Sequence, residues 1–235
     1  MNQITILAPA FNEEAVIAAF VTRVLAETAP DTRLLVVDDG SSDATPRLLA
    51  ELAERHPRLK VVTHSENRGL GAALVTGFRA TETPVVVTMD ADLSHPLELV
   101  PRLAAGCDRA DAVFASRFVP GGGMTGVPLF RRLISRVGNG VMRRLLRVRV
   151  RDMTTGFRAY RTTALSDLEL TGTRFETQLE ITVRLVHRGA RIDEIPLILT
   201  TRAAGESKMR YLPLLPRYGR MFLTLLALRW LHRGS

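Results

Sequence analysis

The sequence has a single cysteine, Cys107, in 235 residues. That excludes an internal disulfide and suits a reducing compartment. Long hydrophobic runs are also missing. The longest uncharged apolar stretch near the C-terminus, Met221 to Leu228, is far below the ~20 residues a spanning helix needs. The opening "ITILAPAFNEE" passes from an apolar strand into a polar turn, without the pattern of a signal peptide. No membrane crossing is expected. Acid is absent from two stretches: Ala112 to Arg151 holds nine arginines and no Asp or Glu, and the chain after Glu206 holds six Lys or Arg and no acid. With a net charge of +8, such blocks imply polyanionic partners: phosphorylated ligands, nucleic acid or an anionic membrane. No helix-turn-helix, RNP or zinc pattern accompanies them, which argues against nucleic acid. The first apolar run is followed by "APAFNEEA" rather than G-x-G-x-x-G, which argues against a dinucleotide fold.

What is present is an alternation. Short apolar runs at Ile4 to Ala8, Arg33 to Val37, Lys60 to Thr63, Val85 to Met89 and Ala112 to Ser116 read as strands. Helical patterns over about 14–28, 43–55, 69–80 and 96–106 lie between them. Strand and helix in alternation predict an α/β fold with a doubly wound, mostly parallel sheet. After Ser116 the pattern changes. "FVPGGGMTGVP" predicts a glycine-rich loop long enough to move over a site. In 128–147 Leu129, Phe130, Leu133, Ile134, Val137, Val141, Leu145 and Leu146 recur at helical spacing, with arginines over much of the remainder. "TTGFRAYR" reads as a strand, Phe175 to Arg188 as a helix and "ARIDEIPLILTTR" as a strand. The expected organisation is one catalytic domain over 1–210 and a basic amphipathic helix over 211–235.

Three acidic clusters fall at strand ends: Asn12-Glu13-Glu14, Asp38-Asp39 and Asp90-x-Asp92. In an open α/β sheet these ends share one edge, where ligands bind. Carboxylates collected there bind sugar or ribose hydroxyls, or hold a hard cation. An acidic turn is the alternative for Asp90 and Asp92. Without a phosphate-binding loop, a cation must carry any ligand phosphates, and Mg²⁺ or Mn²⁺ does so with one or two carboxylates. That favours the cation reading.

The motifs "LAPAFNEE", "VVDDGSSDAT", "ENRGLGAAL", "MDADLSHP", "ASRF", "TTGFRAYR" and "RAAGESKM" stand in the order and spacing of family 2 glycosyltransferases. From Ile4 to about Met209 the chain resembles the polyprenol-phosphate (dolichol-phosphate) mannosyltransferases of that family. The resemblance implies a GT-A-like fold and metal-dependent, inverting transfer of a hexose, mannose from GDP-mannose, to a polyprenyl phosphate. A glucosyl or other transfer from a UDP-sugar is the neighbouring reading, and an inactive sugar-nucleotide-binding scaffold the remote one. It further implies that Pro9, Phe11 and Glu13 wall the nucleotide base, with Asp39 on base or ribose and Val37 beside it. Asp90, Ala91 and Asp92 would line the diphosphate site, and Asp90, Asp92 and Ser94 would hold Mg²⁺ or Mn²⁺. Arg117 and Arg131 would clamp the acceptor phosphate, with Arg202 and Lys208 on the donor diphosphate. On this resemblance Asp92, Arg117 and Arg131 would carry the catalytic role. The sequence departs from the family pattern with Phe11 for a common Tyr, Ser94 for a Gln and Val127 for a Trp. The expected location is the cytoplasmic face of a membrane, held peripherally on an anionic surface.

The chemistry is consistent with the composition. A phosphate monoester is already anionic near neutral pH, so its attack on a sugar needs no general base. Arginine forks hold such a group without taking its proton, and the sequence offers many arginines but no obvious catalytic histidine. His95 reads as a helix cap, and His56, His64, His187 and His232 as surface residues. Asp38 is either a turn former or a ligand contact. Asp152 shapes either the acceptor site or only its loop, and Glu180 reads as a packed or paired acid.

Overall fold

In the computed structural model, which describes residues 3–166, 168, 170 and 176–200, the alternating half forms β1 (Ile4–Ala10), α1 (Ile17–Glu27), β2 (Arg33–Asp38), α2 (Thr45–Arg55), β3 (Leu59–Thr63), α3 (Leu70–Ala80), β4 (Val85–Thr88), α4 (Val100–Gly106) and β5 (Ala112–Ser116). There follow β6 (Gly123–Met124), α5 (Leu129–Leu146), β7 (Arg158–Arg161), α6 (Glu176–His187), β8 (Ile192–Pro196) and β9 (Ile198–Leu199). Strands β1 and β4 read as unbroken apolar runs because both faces are covered. Ile6, Ala8, Val85 and Val87 pack on one side with α1, α2 and α4. Leu7 and Val86 pack on the other with α3 and α6. The two-residue period of the strands thus divides one run between two cores.

The sheet has seven strands in the order β3-β2-β1-β4-β7-β5-β8. Every pairing is parallel except those of β7, which runs antiparallel to both β4 and β5. The reversal matters for the site. The N-terminal end of β7 and the loop before it arrive at the edge where β4 and β5 end. The order also diverges on either side of β1, towards β2 and towards β4, and ligands of open α/β sheets bind at such a divergence.

Two elements differ from the sequence expectation. The segment 96–106 opens as a 3₁₀ turn, Leu97–Leu99, before α4 begins, with Pro101 in the first turn of α4. Proline lacks the N–H that a longer helix needs inside it. The strand expected across "ARIDEIPLILTTR" is two strands. Pro196 ends β8 opposite Ser116, Leu197 N–H donates to Ser116 O at 2.9 Å, and β9 leaves to pair with β6 in a second, two-stranded sheet. That pairing pins the glycine-rich segment: Gly123 N–H donates to Leu197 O and Thr125 N–H to Leu199 O.

Helix α5 presents its apolar side outwards. Leu129, Phe130, Leu133, Ile134, Val137 and Val141 are between 50% and 75% exposed. Of its eighteen residues only Asn139 and Leu146 are buried. They lie on a seam with half-buried Arg131, Ser135 and Met142 at spacings of three or four. Arg132, Arg136, Arg143 and Arg144 are exposed. Among the described residues, no helix is long and apolar enough to cross a membrane.

Candidate active site

The loops after β1 and β2 are laced together by backbone donors and short polar side chains. Asn12 N–H donates to Ser41 Oγ and Ser42 N–H to Asn12 Oδ1, both at 2.9 Å. Glu13 N–H donates to Thr45 Oγ1 at 2.9 Å. Asn12 adopts φ 52°, a left-handed conformation that asparagine tolerates better than most residues. Phe11 beside it is 39% exposed, while Pro9 and Glu13 are half-buried. Val37 is fully buried in the core beneath them. Its side chain packs there.

The two aspartates after β2 have separate tasks. Asp38 is fully buried, and its Oδ1 accepts from Ser41 N–H and Oγ–H at 3.1 and 2.5 Å. This is the turn-forming role. Asp39 reaches the loop before α3: Oδ1 accepts from Arg68 N–H at 3.0 Å and Oδ2 from Gly69 N–H at 2.7 Å. Gly40 makes this approach possible, since a Cβ there would lie 2.2 Å from the Glu66 carbonyl carbon. His64, expected on the surface, is buried. Its Nδ1 lies 2.7 Å from Asp39 Oδ1 and its Nε2 2.9 Å from Thr76 Oγ1. The ring therefore fixes the Asp39 carboxylate, and the signal is one that a lone histidine 25 residues away does not carry in sequence.

At the end of β4 the Asp90 side chain is 44% exposed, whereas Ala91 and Asp92 are buried. Asp92 Oδ1 accepts from Ser94 N–H at 3.0 Å, and Leu93 between them takes φ 61°. Ser94 thus serves the turn through its main chain. His95 is not a helix cap. It is buried, stacks on Phe157 at 4.8 Å, and its Nδ1 lies 3.2 Å from Asp90 N–H, which donates to it. That leaves Nε2 as the protonated nitrogen, 3.9 Å from Asp90 Oδ2. Gly156, ahead of β7, faces the same carboxylate, and a Cβ there would lie 3.2 Å from Asp90 Oδ1. Among the described residues, no cluster of three or more His, Cys, Asp or Glu could enclose a metal ion. Asp90 and Asp92 put two carboxylates on one short turn, the first partly exposed and the second buried, a set that fits a hard cation completed by ligand phosphate oxygens and does not fit an all-protein cage.

Across β7 stands Arg117, at the end of β5. Its Nε donates to Asp152 Oδ2 and its Nη2 to Asp152 Oδ1, both at 2.7 Å. Nη2 also donates to Thr154 Oγ1 at 2.8 Å. Asp152 is fully buried. Burial alone would push its carboxyl up, but the Arg117 guanidinium, with its side-chain and main-chain hydrogen bonds, and the nearby Arg158 hold it below the usual carboxylate value. Asp152 therefore shapes the arginine as well as its own loop. Arg158, within "TTGFRAYR", is a fully buried cation. It donates to Met153 O and Gln178 O and lies 4.0 Å over the Phe114 ring. Arg131, in the first turn of α5, lies on the seam of that helix that faces the protein. Glu180 is buried and paired with Arg184 at 2.8 Å. Arg202 and Lys208 lie outside the described residues, as does the expected helix 211–235.

One edge of the sheet therefore gathers an exposed aromatic, an anchored Asp39, the carboxylates of Asp90 and Asp92 and a carboxylate-held arginine. Residues 5–169 match glycosyl transferase family 2. The undecaprenyl-phosphate mannosyltransferase of Micrococcus luteus is 37% identical over 215 residues, covering 89% of this chain and 88% of the relative. The polyprenol monophosphomannose synthase of Mycolicibacterium smegmatis is 37% identical over 212 residues, covering 87% and 80%. The crystal structure of glucosyl-3-phosphoglycerate synthase from Mycobacterium tuberculosis superimposes with a TM-score of 0.71 at 22% identity, over 97% of this chain and 78% of that one. That likeness concerns the fold, a mostly parallel sheet of the GT-A type. By sequence match and relatives together, the chain belongs to glycosyl transferase family 2 and is a glycosyltransferase.

Proposed function

We propose that the enzyme transfers mannose from GDP-mannose to a polyprenyl phosphate, with inversion at the sugar carbon. The observation that carries this reading is the commitment of two groups that could otherwise serve as a base, Asp152 and His95. Asp152 is locked in its pair with Arg117, and His95 is stacked and hydrogen-bonded to main chain. Neither is placed to take a proton from an acceptor hydroxyl. A phosphate acceptor brings its own charge and needs no base. In this reading Phe11 and Asp39 receive the nucleotide, Asp90 and Asp92 hold Mg²⁺ or Mn²⁺, and Arg117 and Arg131 hold the acceptor phosphate. The metal supplies positive charge to offset what grows on the leaving nucleoside diphosphate. Arg202 and Lys208, which lie outside the described residues, are assigned to the donor diphosphate by the family resemblance. Asp152 keeps the Arg117 fork oriented before the acceptor arrives, so the ordering cost is met in folding.

The acceptor's phosphate sits at lipid headgroup level, so the site must reach a membrane surface. The exposed apolar residues of α5, flanked by exposed arginines and free of acid, suit an anionic interface. Residues 211–235 form the second part of that contact, with residues 1–210 as the catalytic unit, held peripherally on the cytoplasmic face. The test is a panel of radiolabelled donors with polyprenyl phosphate or free polyprenol, with Mg²⁺ or Mn²⁺, followed by lipid extraction. The expected outcome is labelled lipid from GDP-mannose and the phosphate only. Transfer from a UDP-sugar instead, or equal transfer to free polyprenol, would overturn the reading.

A further inference from the structure

Helix α5 buries few of its side chains. Only two of its eighteen residues are buried, and one of these, Asn139, is polar. Asn139 is 3% exposed and spends every hydrogen-bonding group. Its Oδ1 accepts from Met153 N–H at 2.9 Å, and its Nδ2 donates to Ser135 O at 3.0 Å and to Thr154 Oγ1 at 3.2 Å. The Thr154 hydroxyl is equally occupied. It accepts from Asn139 and from Arg117 Nη2, and donates to Asp152 Oδ1 at 3.2 Å. One hydroxyl has one donor and two acceptor positions, so Thr154 is saturated. It joins the middle of α5 to the arginine through two hydrogen bonds, with Asp152 completing the set.

Two further features point away from a purely packing role. Asn139 stands between Gly138 and Gly140, which weaken a helix interior by about 1 kcal/mol each relative to alanine. A Cβ at either glycine would meet nothing within 4 Å, so no close approach requires them. The helix is thus soft at the point where the hydrogen bonds of Asn139 to Met153 and Thr154 leave it. The opposite side of that helix is the apolar, basic surface assigned above to lipid.

We infer that Asn139 is a positioning residue that couples the seating of α5 on a lipid surface to the setting of Arg117 at the acceptor site. When α5 rests on a membrane, its seam is pressed on residues 152–154 and the Asn139–Thr154–Arg117 chain is complete. When it does not, the loop and the fork of Arg117 lose one of their fixed supports. The enzyme then works best on an acceptor phosphate presented at an interface. A hydrogen-bonded network of this kind acts as a unit, so removing a single member loosens the rest. The inference rests on the acceptor reading under Proposed function.

The experiment compares Asn139→Asp, which keeps the acceptor for Met153 but loses the donor to Thr154, and Thr154→Val with the wild type. Initial rates are measured on a long polyprenyl phosphate in anionic vesicles and on a short, water-soluble isoprenyl phosphate. Donor KM, vesicle flotation and thermal midpoint are recorded for each. The wild type is expected to favour the vesicle-borne acceptor. Both variants are expected to lose that preference by about tenfold or more, with donor KM and flotation unchanged. A preference unchanged in both variants, or rates falling equally on both acceptors in step with the thermal midpoint, would overturn the coupling alone. A wild type that transfers to neither isoprenyl phosphate would overturn the acceptor reading and the coupling with it.

Discussion

Replacing Leu133 and Val137 of α5 by glutamate should release the enzyme from anionic vesicles while leaving its fold intact. The two side chains are 60% and 54% exposed and lie one turn apart on the outer arc. They present on the order of 100 and 80 Å² of apolar surface, so their full removal from water is worth about 2.5 and 2 kcal/mol at roughly 25 cal/mol per Å². Seating at the interface covers about half of that, about 2 kcal/mol for the pair. Each new carboxylate near an anionic surface adds on the order of 1 kcal/mol of opposition. The sum, about 4 kcal/mol, corresponds to about a thousandfold in partition. Glutamate is a good helix former, and substitutions at exposed positions shift stability by about 0.5 kcal/mol or less, so the thermal midpoint should stay near that of the wild type. Flotation on phosphatidylserine-containing vesicles, with a thermal melt of the same samples, measures both. Equal flotation of variant and wild type would refute the reasoning. So would loss of the folded state, because the arc would then be core, covered by the chain's own residues 201–235 or by a second copy.

Three further outcomes are expected. Asp92→Asn should abolish transfer, and EDTA should do so reversibly in the wild type. Full activity in excess EDTA would remove the metal from the mechanism. The lowered carboxyl of Asp152 contributes stability that is fully present above its unfolded value near 3.8 and is lost as pH falls through the folded value. The drop in thermal midpoint of the wild type below about pH 4 should therefore be shallower in Asp152→Asn, and an identical acid limb in both proteins would contradict the pairing. Burial pushes the Cys107 thiol up to about 12, so iodoacetamide at pH 8 should label it only after unfolding; rapid labelling of the native enzyme would show an open path to it.

The sequence carried much of the sheet because a strand buried on both faces shows as an unbroken apolar run. Ala112–Ser116 was legible to the residue. The direction of β7 was not. "TTGFRAYR" reads as a strand either way, and its reversal depends on where α5 returns the chain. Pro196 marks where "ARIDEIPLILTTR" divides, but the partner of β9 is Gly123–Met124, more than seventy residues back, which no local pattern specifies. In α5 the helical spacing located the apolar stripe without telling which way it faces. Periodicity gives a stripe, and only the neighbours decide whether it meets core or solvent. At the site, the acidic pairs at strand ends were legible because chain topology alone brings them to one edge. The supports were not: His64 under Asp39 and Asn139 under Thr154 act through contacts between distant segments, and each looks ordinary where it stands. A Gly-Asn-Gly inside a helix was the one local sign available.

The reversed strand β7 also sets a length. Asp152, which grips Arg117, and Gly156, which admits Asp90, are four residues apart on a stretch whose far end, Arg158, is anchored under the sheet by Met153 O, Gln178 O and the Phe114 ring. The span between the carboxylate side and the arginine side is therefore bounded by a short, folded piece of covalent chain, with Thr154 and Thr155 N–H donating back to Asp152 Oδ1, and side-chain substitution cannot stretch it. A change in that separation therefore calls for residues inserted or removed between Asp152 and Gly156, whereas a side-chain change leaves it fixed.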